Sequence, residues 1–293
     1  MDIRKLILFE DVANTQNFTK SGDKLGYTQS GVSHMLKSLE DELGFTLFIR
    51  SKQGVKLTDS GLGILPAVRS LLSKYENLTQ TVNEIHGIEK GSLTIATFSS
   101  ISIHYLPKII HEFKEKYPSI NIELLEGGTD DIVSWVENDI ADFGFLSHEN
   151  TKNLEWITLA EDPLLAIMPK DSELPESGAI NIEFFQDKPF IMTSMGTDYD
   201  VHKALTTSNV TPNAIFSSKD DHAIISMVSN ALGVSILPGL VVKGFENQVS
   251  CYAINPYYSR TLGIALKSRE ALSPAAKKFI KLATTIISSN PLR

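Results

Sequence analysis

Gln29, Ser30, Ser33, His34 and Lys37 are spaced so that a helix carries them on one face. Short donors and acceptors let a backbone come close to base edges in a DNA groove, and a basic side chain meets phosphate. Thr28 stands before them as an N-cap, which turns the positive end of the helix the same way. Thr19 and Lys20 open the preceding amphipathic segment, while Arg50, Lys52 and Lys56 flank the turn Ser51-Lys52-Gln53-Gly54. Cations at such a tip lie beside the DNA backbone or a narrow minor groove.

A second group of residues has a different chemistry. Ser99, Ser100, Ile101 and Ser102 follow an apolar strand and open a helix; Thr129 stands at an equivalent helix start, and Thr193, Ser194, Met195, Gly196 and Thr197 repeat the arrangement. Backbone N–H groups and hydroxyls at a helix start hold anions, although the same groups also serve as plain caps. His202 and His222 are further candidates; a lone imidazole more often makes an ordinary hydrogen bond. Asp220-Asp221-His222 has no second ligand cluster, so no metal is expected. The chain contains neither a G-x-S-x-G elbow, nor a G-x-x-x-x-G-K-[ST] loop, nor a dinucleotide fingerprint. No enzyme and no cofactor are expected.

The elements that position these groups follow from periodicity. Ile3, Leu6, Phe9 and Val12 give a first helix; Phe18, Leu25, Val32, Leu36 and Leu39 give two short helices broken at Gly26-Tyr27, a helix-turn-helix. Gly22 and Gly31 inside those helices each cost up to about 1 kcal/mol against Ala, which predicts a slightly soft domain. Thr46 to Arg50 and Val55 to Thr58 read as the two strands of a wing. From Asp59 to His86 one long helix, capped by Thr58 and interrupted by Pro66, carries Leu65, Val68, Leu72, Tyr75 and Val82 in the rhythm of a two-helix coiled coil, hence a dimerisation seam.

After a linker at Gly87 to Gly91 the period changes. Strand and helix alternate: strand-like Leu93 to Thr97, one helix over Ile103 to Tyr117, a strand over Ile120 to Glu126, a helix over Asp130 to Asn138, a strand over Ile140 to Leu146. Such alternation predicts a parallel sheet with helices on its faces and ligands beyond the strand ends. A crossover near Glu161 to Met168 leads to a second set of strands and helices, and Ser273-Pro274 caps a last helix. The expected domains are 1–58, 59–90 and 91–293, the last divided into lobe one (91–162 and 267–293) and lobe two (163–266).

With 293 residues, 42% of them hydrophobic and 21% charged, the composition is that of a folded chain of two or three units. The net charge of −8 makes non-specific DNA affinity modest and strongly salt-dependent. Cys251 is the single cysteine, so no intramolecular disulfide forms and a reducing cytoplasm is the expected home. The opening MDIRKLILFEDVANTQ reads as an amphipathic helix carrying acids, not as a signal peptide, and no apolar run approaches the roughly 20 residues of a membrane span.

The stretch Asn17 to Gly61 resembles the N-terminal domain of LysR-type transcriptional regulators. Phe18, Thr19, Leu25, Gln29, Ser33, Leu39, Glu40, Leu43, Gly44, Leu47, Phe48, Arg50, Leu57, Thr58 and Gly61 carry the resemblance. Ser21-Gly22, Ser30-Gly31 and Gln53 depart from it. The segments GSLTIA, LPKIIHEFKEKYPSINIEL, DFGFL and ALGVSILP are similar to that family's effector domain. The resemblance implies a winged helix-turn-helix, all-α at the N-terminal end, followed by a two-lobed α/β domain related in fold to type 2 periplasmic solute-binding proteins. It also implies a small-molecule effector, often a carboxylate, at the helix starts named above; double-stranded operator DNA and RNA polymerase as partners; and a dimer of dimers with no membrane association. The rival reading is a two-lobed solute-binding or enzymatic protein with an unrelated helical N-terminus.

Overall fold

The computed structural model describes residues 1–51, 54–147, 151, 153–170, 172, 178–197 and 199–289. They fall into two compact units, Met1–His86 with Asn138–Ile140, and Gly87–Glu137 with Ala141–Arg293.

In the first unit α1 (Ile3–Thr15), α2 (Phe18–Leu25) and α3 (Gln29–Leu43) precede the hairpin β1 (Phe48–Ser51) and β2 (Gly54–Leu57), and α4 (Asp59–Ile85) follows. Side-chain caps set all four of these helix starts, with Asp2 Oδ1 accepting from the Arg4 amide (3.0 Å) at α1. Asn17 Oδ1 accepts from the Lys20 amide (3.0 Å), Thr28 Oγ1 from Gly31 (3.1 Å) and Thr58 Oγ1 from Gly61 (2.9 Å); each such cap contributes about 1 kcal/mol. Gly26 ends α2 with φ 76°, a left-handed turn that leads straight into Thr28. Leu8, Phe9, Val12, Val32, Leu36 and Leu39 fill the core between the helices.

Two expectations change here. Gly22 is not a soft spot: a Cβ there would lie 2.7 Å from the Tyr27 carbonyl, so the α2–α3 turn requires glycine for its close backbone approach. The apolar stripe expected to stay free on α4 is only partly free. Leu65 (8% exposed) and Val68 are buried in the core of their own unit and Leu72 packs against it, because the first turns of α4 close the helical domain. Tyr75 and Val82 of the expected set stand exposed, and with Leu71, Leu78 and Ile85 they form a stripe at intervals of four and three.

In the second unit β3 (Gly91–Thr97), α5 (Ser99–His104), α6 (Leu106–Lys116), β4 (Ile120–Glu126), α7 (Thr129–Glu137) and β5 (Phe143–Ser147) lead to the long β6 (Glu155–Pro169). Then come β7 (Ala179–Asn181), β8 (Pro189–Thr193), α8 (Asp200–Thr207), β9 (Asn213–Ser218), α9 (Asp221–Ser229), β10 (Ser235–Pro238), α10 (Gly239–Val242), β11 (Val249–Asn255), β12 (Ser259–Leu266) and α11 (Pro274–Ser289). The single helix expected over Ile103 to Tyr117 is two, since Pro107 has no N–H for the Ile103 carbonyl and the chain restarts at Leu106.

The sheet is mixed, not wholly parallel. β4, β3 and β5 run parallel, as do β8 and β9, whereas β12 is antiparallel to β5 and to the first half of β6, and β10 and β11 are antiparallel to its second half. β6 thus serves both lobes. β12 belongs with the sheet of lobe one, so the 266/267 division expected from alternation falls at the end of that strand, not before it. Phe113, Phe143 and Phe279 centre the core of lobe one; Phe185, Phe190 and Ile236 lie in that of lobe two.

Candidate functional site

The outer face of α3 is built as the sequence implies. Val32 and Leu39 are fully buried, so Gln29, Ser30, His34 and Lys37 on the other side are exposed, with Ser33 half-buried between the faces. The Thr28 hydroxyl is engaged as the cap and lies 3.1 Å from Ser30 Oγ, which presents the helix start but leaves Thr28 less to offer a base. Thr19 and Lys20 are exposed on the first turn of α2, and Lys56 is exposed on β2. The backbone of Arg50 pairs with Val55 in the hairpin; its side chain, and Lys52 and Gln53 at the wing tip, lie outside the described residues.

The effector positions divide sharply. Ile101 is buried in the core of lobe one and can offer no side chain to a ligand. Ser102 Oγ donates to the Glu126 carboxylate, so an acid already stands beside it. Ser99 is exposed, and the buried Ser100 receives a hydrogen bond from Arg260 (3.2 Å). His202 hydrogen-bonds the Thr193 carbonyl (2.9 Å), and Thr193 Oγ1 and Ser147 Oγ are buried hydroxyls without a partner at the ends of β8 and β5. The His222 ring lies tilted against Phe245 with centroids 4.9 Å apart, and Asp220 caps α9 by accepting from the His222 amide (2.9 Å). Among the described residues no group of three or more His, Cys, Asp or Glu is placed to hold a metal.

The expected anion site at Thr129 is already filled by protein. The amides of Thr129 and Asp130 donate to the Thr197 and Gly196 carbonyls (3.0 and 3.2 Å), Thr129 Oγ1 donates to Thr197 as well (3.1 Å), and Tyr199 Oη donates to Asp130 Oδ2 (2.9 Å). That bond and the neighbouring charge raise the Tyr199 pKa above its ordinary value. Met195 is left exposed at the tip of the turn. The two lobes are therefore joined where sequence alone left a gap. A Cβ at Gly128 would lie 2.4 Å from the Gly196 carbonyl. Gly128→Ala should open this junction, at a cost of about 1–3 kcal/mol of strain, and hydrogen exchange would report it as faster exchange of the Thr129 and Asp130 amides; unchanged protection would mean the loop adapts.

Sequence reasoning missed the pair behind Ser100. Arg260 Nε and Nη2 each donate to Asp162 Oδ2 (2.9 Å), Asp162 Oδ1 accepts from the Leu240 amide (2.9 Å), and both side chains are buried, at 2% and 0% exposure. The guanidinium also stacks over Phe98 at 5.5 Å. Neither residue sits in a recognisable motif; their place on paired crossing strands is what brings them together. In front of them lies a cavity of about 110 Å³ between α5 and the α9–α10 region, with Ser99, His104, His222 and Lys243 among its walls. Burial, with the adjacent Lys243 charge, lowers the His104 pKa, so this imidazole is neutral at neutral pH.

Known proteins share both parts of this architecture. Residues 3–62 match the family model of the bacterial regulatory helix-turn-helix protein, lysR family, and residues 86–286 match that of the LysR substrate binding domain. YvbU of Bacillus subtilis, an uncharacterized HTH-type transcriptional regulator, is 31% identical over 292 residues, 99% of this chain and all of its own. Full-length OxyR from Pseudomonas aeruginosa has the same fold, with a TM-score of 0.76 over 98% of each chain at 22% identity. The effector binding domain of QuiR, solved with shikimate, aligns over 69% of this chain and all of its own, with a TM-score of 0.63 at 20% identity. The chain belongs to the LysR family of transcriptional regulators, with a helix-turn-helix DNA-binding domain followed by a small-molecule effector domain.

Proposed function

We propose that this chain is a cytoplasmic regulator that reads operator DNA with α3 and the wing, and whose effector is a small carboxylate or similar anion. The observation that carries the reading is the split of α3 into a buried apolar face and an exposed face of Gln29, Ser30, His34 and Lys37 behind a capped, outward helix start. Shikimate on the QuiR effector domain is itself a carboxylate, and supports the class. The exposed stripe on α4 suits pairing of two copies, which places two recognition helices on two half-sites. A dimer of dimers that meets RNA polymerase at a promoter completes the proposal, with effector binding changing the relative orientation of the lobes through differential affinity.

Sequencing the genomic DNA retained by the full-length protein should yield an interrupted palindrome. On that operator, Gln29→Ala should cost about 1–3 kcal/mol of binding and relax specificity at one base pair, and Lys37→Ala should weaken all sequences alike and reduce the salt slope by about 1. Retention of full affinity by both variants, with the fold intact, would refute this placement of the DNA-reading face.

A further inference from the structure

The first turns of α4 close the helical domain, and its later turns carry the exposed stripe. Between the two stands Pro66, which has no N–H for the Leu62 carbonyl, so the backbone ladder is broken there and the helix bends easily. Before the break, α4 is fixed to its own domain. Thr58 caps it by accepting from the Gly61 amide (2.9 Å), and a Cβ at Gly61 would lie 2.4 Å from the Leu47 carbonyl. Beyond the break Val68 and Leu72 pack on the core, but apolar contact is non-directional and sets how close two helices lie more than the angle between them. Arg69 supplies the direction. Its Nη2 donates to Asn14 Oδ1 (2.8 Å) and its Nε faces Glu10 Oε1 at 3.4 Å, so one planar fork holds two acceptors a turn apart on α1. The Arg69 side chain is only 13% exposed. Burial raises the Glu10 pKa and the Arg69 charge opposes the rise, while the neighbouring acid Asp11 is paired with Lys24.

We propose that Arg69 is a positioning residue that sets the separation of the two half-sites, because it braces α4 against α1 across the break at Pro66. The inference rests on the pairing of two copies through the exposed stripe of α4. From Arg69 to Leu78 of that stripe is about 14 Å of helix at 1.5 Å per residue. A change of about 10° at Arg69 moves Leu78 by about 2.4 Å, and two copies together by about 5 Å, more than the rise of about 3.4 Å per base pair. Half-site spacing is therefore sensitive to this one contact.

The test titrates the full-length protein onto the operator recovered from genomic DNA and onto copies with unaltered half-sites whose spacer is one or two base pairs longer or shorter. Wild type should prefer one spacer by roughly tenfold or more, because each added base pair shifts and rotates a half-site by about a tenth of a helical turn. Arg69→Met should bind neighbouring spacers nearly alike while reading the same half-site sequence. Glu10→Ala with Asn14→Ala, which keeps Arg69 but removes its partners, should do the same. Circular dichroism checks that each variant is folded at the assay temperature. Pro66→Ala added to Arg69→Met should restore a single preferred spacer, since a continuous helix needs no brace; a residue that merely stabilised the fold would not be rescued in this way. A wild-type spacer profile in both partnerless forms, weakening alike at every spacer, or a flat profile that Pro66→Ala leaves flat would each overturn the role of Arg69. Spacing separates the two claims. A wild type indifferent to spacer length removes the pairing reading and the inference with it, whereas a sharp wild-type preference kept by the variants removes the inference alone.

Discussion

Arg260→Met is expected to lower the unfolding free energy of the effector domain by about 3–5 kcal/mol, the usual result of stranding one member of a buried ion pair. Asp162 has no exposed surface, so its carboxylate would keep the Leu240 amide but lose both guanidinium bonds. Urea denaturation should show the lower midpoint with little change in slope. The double variant Asp162→Leu with Arg260→Met should recover much of the loss, because an apolar pair removes the stranded charge. A single variant as stable as wild type would show that water or a neighbouring group already solvates Asp162.

Leu78→Asp should have the second large effect, on assembly and not on folding. Leu78 is 62% exposed at the middle of the stripe formed with Leu71, Tyr75, Val82 and Ile85. A charge there breaks the partner seam, and sedimentation should report a smaller species with thermal stability of the DNA-binding domain retained. Operator affinity should fall by roughly 10²- to 10⁴-fold, since the second half-site contact is no longer intramolecular. Leu65→Ala makes the contrasting case. Its side chain lies in the core of its own unit, so about 2–5 kcal/mol of stability is lost. If Leu78→Asp sediments like wild type, the seam lies elsewhere.

Local chemistry made much of this architecture legible. Thr28 and Thr58 could be read as caps because a hydroxyl before an amphipathic run satisfies amides within three residues, and both do so. Of the stripe expected on α4, Tyr75 and Val82 stand exposed while Leu65, Val68 and Leu72 pack into their own unit, for a physical reason: Leu65, Leu72 and Leu71, Leu78 share the same heptad interval, and only the docking of the first turns of α4 onto α1 to α3 decides which stripe is consumed. Periodicity carries no information on that choice. Antiparallel pairing of β6 with β10, β11 and β12, and with it the Arg260–Asp162 pair, depends on residues far apart in the chain, as Arg260 and Asp162 are. Anion sites were expected at these strand ends, yet Thr129 donates to the Thr197 carbonyl and the Asp130 amide to that of Gly196, because complementary donors and acceptors on facing lobes need no ligand when the lobes meet.

That mutual satisfaction bears on the detection limit of the sensor. A ligand of a few heavy atoms has a ceiling of about 1.5 kcal/mol of binding energy per atom, too little to assemble two separated lobes and still register at low concentration. Apparent affinity scales with the fraction of molecules already in the competent arrangement. With Tyr199 on Asp130 and Thr197 on Thr129, the chain supplies its own closure. Each tenfold change in the population of that closed form, about 1.4 kcal/mol at the junction, then moves the concentration at which an effector that requires it is noticed by a similar factor, so a substitution at Gly128 or Tyr199 is expected to retune the threshold without touching the ligand.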